Sequence, residues 1–159
     1  MKEDNAAMRK WDPLIASLRG YDVAVSETED ELTVTDRANG REIHVYDESA
    51  PAGEDPSERY EEYVVEFATQ HRHFEDMEDA AEYVLQILGD EVLPLEFYRD
   101  GQPGFGGDIE RDELPLLSQA WLAERFMVPA EQLAAYQFEI HSWSGKYDVA
   151  KTPVKELKR

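Results

Sequence analysis

Residues 21–47 read YDVAVSETEDELTVTDRANGREIHVYD, and this stretch decides the fold. Val23 and Val25, Leu32 and Val34, and Ile43 and Val45 each alternate with polar or small neighbours. A period of two is the mark of a strand with one buried face. Glu29-Asp30 and Asn39-Gly40 punctuate the three runs. Asn-Gly is the strongest short hairpin signal, a type I′ turn with positive φ at both residues. A two-residue turn there sets Ala38 against Arg41, Arg37 against Glu42, Thr35 against His44 and Val34 against Val45. A tight turn at Glu29-Asp30 independently sets Val25 against Val34. The expectation is a three-stranded antiparallel meander, with Val25, Val34 and Val45 side by side on its buried face and Arg37 opposite Glu42.

Upstream, Met8, Trp11, Leu14, Ile15 and Leu18 fall at helical spacing. Asp12-Pro13 reads as a cap followed by proline in the first turn, and Gly20 as the stop, so a helix covers Pro13 to Arg19. Downstream, Glu48 to Arg59 lacks periodicity and reads as a long acidic loop. Tyr63, Val65 and Phe67 begin a fourth strand running toward His73. Asp76 caps a helix with the apolar stripe Met77, Ala80, Ala81, Val84, Leu85, Ile87 and Leu88, which Gly89-Asp90 ends. Val92 to Tyr98 is a strand, Asp100-Gly101 a second hairpin, and Pro103 to Ile109 a glycine-rich edge strand. Leu114 to Val128 reads as one helix stopped by Pro129. Phe138, Ile140 and Ser142 alternate with Glu139, His141 and Trp143 as a last strand. Tight turns between the first strands exclude parallel crossovers. The fold class is therefore α+β: an antiparallel sheet with about three helices packed mainly on one face. Leu18, Val34, Val45, Val65, Phe67, Val84, Leu88, Leu95, Phe97, Leu117 and Trp121 are the expected core.

At 159 residues the chain is read as a single acidic domain over 1–150, followed by a basic, mobile tail over 151–159. Its 16 Lys+Arg against 36 Asp+Glu give a formal charge of -20. That charge repels phosphate backbones and anionic lipid, so neither direct nucleic-acid binding nor membrane binding is expected. No cysteine is present, which rules out disulfides, thiolate metal sites and a cysteine nucleophile. The polar opening from Met1 to Lys10 has no apolar core of the kind a signal peptide carries, and the expected location is cytoplasmic.

The chemistry-bearing candidates are few. His71 and His73 share a strand face, and His141 lies on another strand with Glu139; three imidazoles converging on one ion would make an open zinc-type site. The plainer account of the first two is a pair of surface histidines beside a helix start. Trp143, Lys146 and Tyr147 cluster around Gly145 and form a candidate binding surface, or cap the sheet end. Gly101 to Gly107 lacks the Lys-Ser/Thr of a phosphate loop and is followed by Asp108 and Glu110, which oppose an anion. Leu122 to Leu133 has the apolar skeleton of a helix-turn-helix. Met127 stands where the turn favours glycine, and the second helix has no base. Ser142 and His141 are strand neighbours pointing to opposite faces, so they are no dyad. No catalytic residue and no cofactor is assigned. The leading expectation is a non-catalytic binding module of immunity, chaperone or adaptor type, whose acidic surface meets a protein partner, a basic one being one option. A metal-dependent enzyme built on His71, His73 and His141 is the alternative, and a nucleic-acid mimic the third.

Overall fold

The computed structural model describes residues 9–51 and 59–157. Met8 and most of the expected acidic loop lie outside them. The protein is α+β, with a five-stranded and a four-stranded antiparallel sheet, beside a two-stranded pair, where one sheet was expected. Two compact units divide the chain: Met1–Glu66 with Arg72–Leu85, and Phe67–His71 with Gln86–Arg159. The sequence had suggested one domain over 1–150.

The first part of the chain runs α1 (Asp12–Ser17), β1 (Val23–Glu27), β2 (Glu31–Asp36), β3 (Glu42–Asp47), the two-residue pair β4 (Ala50–Pro51) and β5 (Arg59–Tyr60), β6 (Tyr63–Phe67), β7 (Gln70–Phe74) and α2 (Met77–Leu88). The five-stranded sheet has the order β1-β2-β3-β6-β7. In α1, the Asp12 carboxylate accepts from the Arg9 N–H at 2.8 Å, and Trp11, Leu14 and Leu18 are buried. The β1–β2 turn falls at Glu29-Asp30, tied by Thr28 to Glu31, and Val25 faces Val34 as expected. Val25 is nevertheless 36% exposed, because β1 is an edge strand that buries only Val23.

The β2–β3 register differs from expectation by two residues. Val34 faces Ile43, Leu32 faces Val45 and Thr35 faces Glu42. The cause is Asp36. Its carboxylate accepts from the N–H of Ala38 (2.6 Å) and Asn39 (3.0 Å), and its backbone pairs with Gly40 and Arg41. This Asx-type cap closes a four-residue loop in which only Gly40, at φ 79°, takes positive φ. Arg37 thus belongs to the loop, near Asp22 and bonded to the Val23 carbonyl, and does not face Glu42. An even slip leaves every side chain on its original face. Leu32, Val34, Ile43 and Val45 are all fully buried, and His44 stays on the opposite face between Glu31 and Glu42.

The strand expected to run from Tyr63 to His73 is a hairpin. Ala68 adopts φ 56° and the chain returns as edge strand β7, which carries His71 and His73. Asp76 caps α2 as expected, accepting from the Asp79 N–H at 2.8 Å.

The second part comprises β8 (Val92–Arg99), β9 (Gln102–Glu110), a 3-10 helix (Arg111–Leu116), α3 (Gln119–Phe126), α4 (Ala130–Leu133), β10 (Gln137–Ile140), β11 (Val149–Pro153) and a second 3-10 helix (Val154–Glu156). Its four-stranded sheet is ordered β11-β10-β8-β9. Asp100 and Gly101, at φ 53° and 79°, make the expected two-residue hairpin, and β9 is an edge strand. Leu93, Leu95, Phe97, Ile109, Phe138 and Ile140 form one core with Leu122, Leu133 and Val154. The single helix expected over 114–128 breaks at Leu117, whose ψ of 119° is extended, and Ser118 caps a fresh start by accepting from the Trp121 N–H. This break turns Leu122 inward and leaves Leu117 and Trp121 only partly buried, not in the core as expected. Lys151 to Pro153 complete β11, and Val154 is fully buried, so the boundary drawn at 150 falls within a strand.

Candidate functional site

Charge is unevenly shared. The first unit holds 23 carboxylates against 8 Lys/Arg, a net of -15; the second holds 13 against 8, a net of -5. Within the first unit Glu75, Asp76, Glu78, Asp79 and Glu82 are all exposed, spanning the turn after β7 and the first turns of α2.

Three side chains with donor atoms of the metal-ligand type converge beside this acidic run. Glu48 directly follows β3, Glu62 directly precedes β6, and His73 lies near the end of β7. Because β3, β6 and β7 are neighbours in an antiparallel sheet, these positions share one end of it. The Glu48 N–H donates to the Glu62 carbonyl at 2.8 Å, and the Glu62 N–H donates to Ser49 Oγ at 3.1 Å. One ligand atom from each of Glu48, Glu62 and His73 lies within 4.8 Å of the others. His73 Nδ1 is hydrogen-bonded to Glu62 Oε2, and the Tyr60 hydroxyl bonds the same carboxylate. The bond to His73, then that to Tyr60, holds Glu62 below the usual carboxylate range, and the same contact pushes the Tyr60 phenol up.

Nearby in the same unit, an open cleft of about 670 Å³ is lined by Lys10, Glu29, Asp30, Asp47, Ser49, Glu61 and Tyr63. Lys10 Nζ sits 2.6 Å from the buried Asp47 carboxylate and donates to the Glu29 carbonyl. Burial pushes Asp47 up, but Lys10 and Ser49 outweigh it and leave the group below its ordinary value.

A second polar constellation occupies the face of the four-stranded sheet opposite its core. Glu96 on β8 and Glu139 on β10 are directly paired across the ladder. Glu96 is only 7% exposed. Burial, and secondarily the charge of Glu139, pushes its carboxyl up, against the pull of Thr69. Gln70 Nε2 donates to Glu96 Oε1 and to the Leu95 carbonyl, both at 3.3 Å. That amide fits because residue 106 is glycine: a Cβ there would sit 2.6 Å from it and 2.3 Å from the Leu95 oxygen. Tyr98 donates its hydroxyl proton to Glu139 at 2.5 Å, and this bond, aided by burial, raises the phenol to about 12. His141 Nε2 lies 3.3 Å from the same Glu139 oxygen, and Lys151 Nζ sits 4.0 Å from the Tyr98 ring centre.

The histidines singled out by sequence are thus distributed. His73 belongs with Glu48 and Glu62; neither His71, exposed on β7, nor His141, beside Glu139, is a member of that group. Trp143 is buried against Phe67, with ring centres 5.7 Å apart, so it presents no stacking surface. Lys146 is exposed, and Tyr147 is partly buried beneath Arg111. Their turn is held internally: Ser142 bonds Asp148, the Tyr147 N–H donates to Ser142 Oγ, and the Ser144 N–H donates to Asp90. The glycine-rich stretch is hairpin and edge strand. Met127 takes the left-handed conformation of a helix-turn-helix turn, but α4 spans only four residues.

Glu48, Glu62, Gln70, Glu96 and Tyr98 were not marked by sequence. For the Glu96–Glu139 pair a signal existed: each acid is flanked by core residues, Leu95 and Phe97, or Phe138 and Ile140, so it must occupy a strand's other face. No protein-family model, curated protein or solved structure matches this chain.

Proposed function

We propose that this protein is a non-catalytic binding module, of adaptor, chaperone or immunity type, whose strongly acidic first unit engages a basic surface on another protein in the cytoplasm. The observation that carries the proposal is the concentration of a net -15 in that unit, with an exposed carboxylate run from Glu75 to Glu82. A one-sided charge field of this kind speeds encounter with an oppositely charged surface and discriminates against like-charged partners. It leaves hydrophobic contacts to be supplied at shorter range, which suits a reversible interaction. The four-stranded unit, at a net -5 and with a well-filled apolar core, serves as the less charged companion.

The test is affinity capture from the source cell with the full chain and with a Glu75→Lys/Glu78→Lys/Glu82→Lys variant. The expected outcome is a defined partner retained by the parent protein at about 0.1 M salt. It should be lost from the variant, and from the parent at about 0.5 M salt, where exposed charges are screened beyond a few ångströms. Capture of the same proteins by both forms at both salt concentrations overturns the proposal.

A further inference from the structure

We propose that Glu48, Glu62 and His73 form a binding site for one divalent transition-metal ion of the manganese, iron or zinc class. Three features separate this group from the general acidity of the surface. First, the donor set is mixed, two carboxylates and an imidazole, which suits first-row divalent ions and is unlike the all-oxygen cage of calcium. Second, the donors come from three neighbouring strand ends and are tied through the backbone, with Glu48 bonded to Glu62 and Glu62 to Ser49. Both glutamates lie one residue beyond a strand, and the Glu48–Glu62 backbone bond holds these two strand ends together. Third, two like-charged carboxylates have ligand atoms within 4.8 Å of each other. Repulsion at such a separation costs about 1 kcal/mol even in water, and a cation between the two groups reverses its sign.

The spacing fits an ion. Ligands about 2.0–2.2 Å from a tetrahedral or octahedral centre lie about 3.0–4.4 Å from one another. Binding an ion parts the hydrogen-bonded His73–Glu62 pair and draws Glu48 in, and rotation of the exposed Glu48 and His73 side chains serves both. Tyr60, bonded to Glu62, supplies the outer contact that orients a ligating carboxylate. His71 and His141 take no part, so this site differs from the three-histidine arrangement considered from sequence.

The experiment is calorimetric titration of the intact protein with Mn²⁺ and, separately, Zn²⁺ at about 0.15 M salt, where diffuse attraction to surface carboxylates is screened. The expected result is one saturable equivalent for at least one of the two ions, weakened at least about tenfold by His73→Ala and by Glu62→Gln, and unchanged by Glu131→Gln on α4. An independent readout on the parent protein avoids any folding defect of the variants. Substoichiometric Mn²⁺ should broaden the His73 imidazole proton signals before those of His71, His44 and His141. Non-saturating binding of several equivalents, or binding that survives both ligand substitutions, or equal broadening of all four histidines, overturns the site.

Discussion

Glu96 shows what a single carboxyl costs when a strand hides it. Burial raises its pKa above the ordinary value of 4.5, so the folded state holds this proton more tightly than the unfolded chain. The folded state therefore gains stability as pH falls through the raised pKa, and carries the full penalty of an ionised buried carboxylate above it. Glu96→Gln keeps the acceptor for Gln70 and removes the charge facing Glu139. It should raise stability near pH 7 by on the order of 1 kcal/mol, and the gain should vanish below about pH 4.5, where Glu96 is protonated in both states. Urea unfolding of both proteins across that range is the check, and an equal difference at both ends would show that the charge is not the cause. Tyr98 makes the opposite contribution, because its hydroxyl satisfies the second carboxylate of the pair. Tyr98→Phe should cost about 1.5–3 kcal/mol, the range for a hydrogen bond to a charged group. The same substitution should delete the Tyr98 phenol, raised to about 12, from the alkaline absorbance titration.

Elements were legible where local chemistry and burial agree. Asp100-Gly101 forms the two-residue turn, with both residues at positive φ. Asn39-Gly40 carries an equally strong signal, yet Asp36 wins by accepting two backbone N–H groups and lengthening the loop. The faces survive because the slip is even, which is why the meander was readable while its pairing was not. The β6–β7 hairpin was unreadable because Ala68 supplies the positive φ that glycine usually signals. The same holds for the Glu48–Glu62–His73 group, since its ends meet only once that hidden hairpin returns β7 alongside β6. At the end of α3, Met127 takes φ 59° and is 90% exposed, in the position where helices favour glycine. A non-glycine residue there carries about 1 kcal/mol of strain, and an exposed side chain returns little in packing. Met127→Gly should therefore stabilise the fold by about 0.5–1 kcal/mol, read as a higher thermal midpoint. A loss instead would mean that the methionine makes a compensating contact.

On the scale of the whole molecule, the division into two units left no mark in the sequence, because no linker separates them: the boundary crosses β6, β7 and α2. What the sequence did carry, once the division is known, is their unequal charge of -15 and -5. Self-repulsion grows roughly with the square of net charge and disfavours the compact state, and salt shortens its reach from about 30 Å at 0.01 M to about 8 Å at 0.15 M. Raising salt over that interval should therefore stabilise the first unit more than the second. Attractive pairs such as Lys10–Asp47 work against this trend, since screening weakens attraction too, but the unit holds 23 carboxylates against 8 Lys/Arg. Hydrogen exchange separates the two contributions within one sample. The buried-strand amides of Leu32, Val34, Ile43 and Val45 should gain protection with salt, while those of Leu95, Phe97, Phe138 and Ile140 change less. A uniform gain across both sets would mean that the units open together and that charge acts on the chain as one body. A larger gain in the second set would show that specific packing, not net charge, governs how each unit responds to salt.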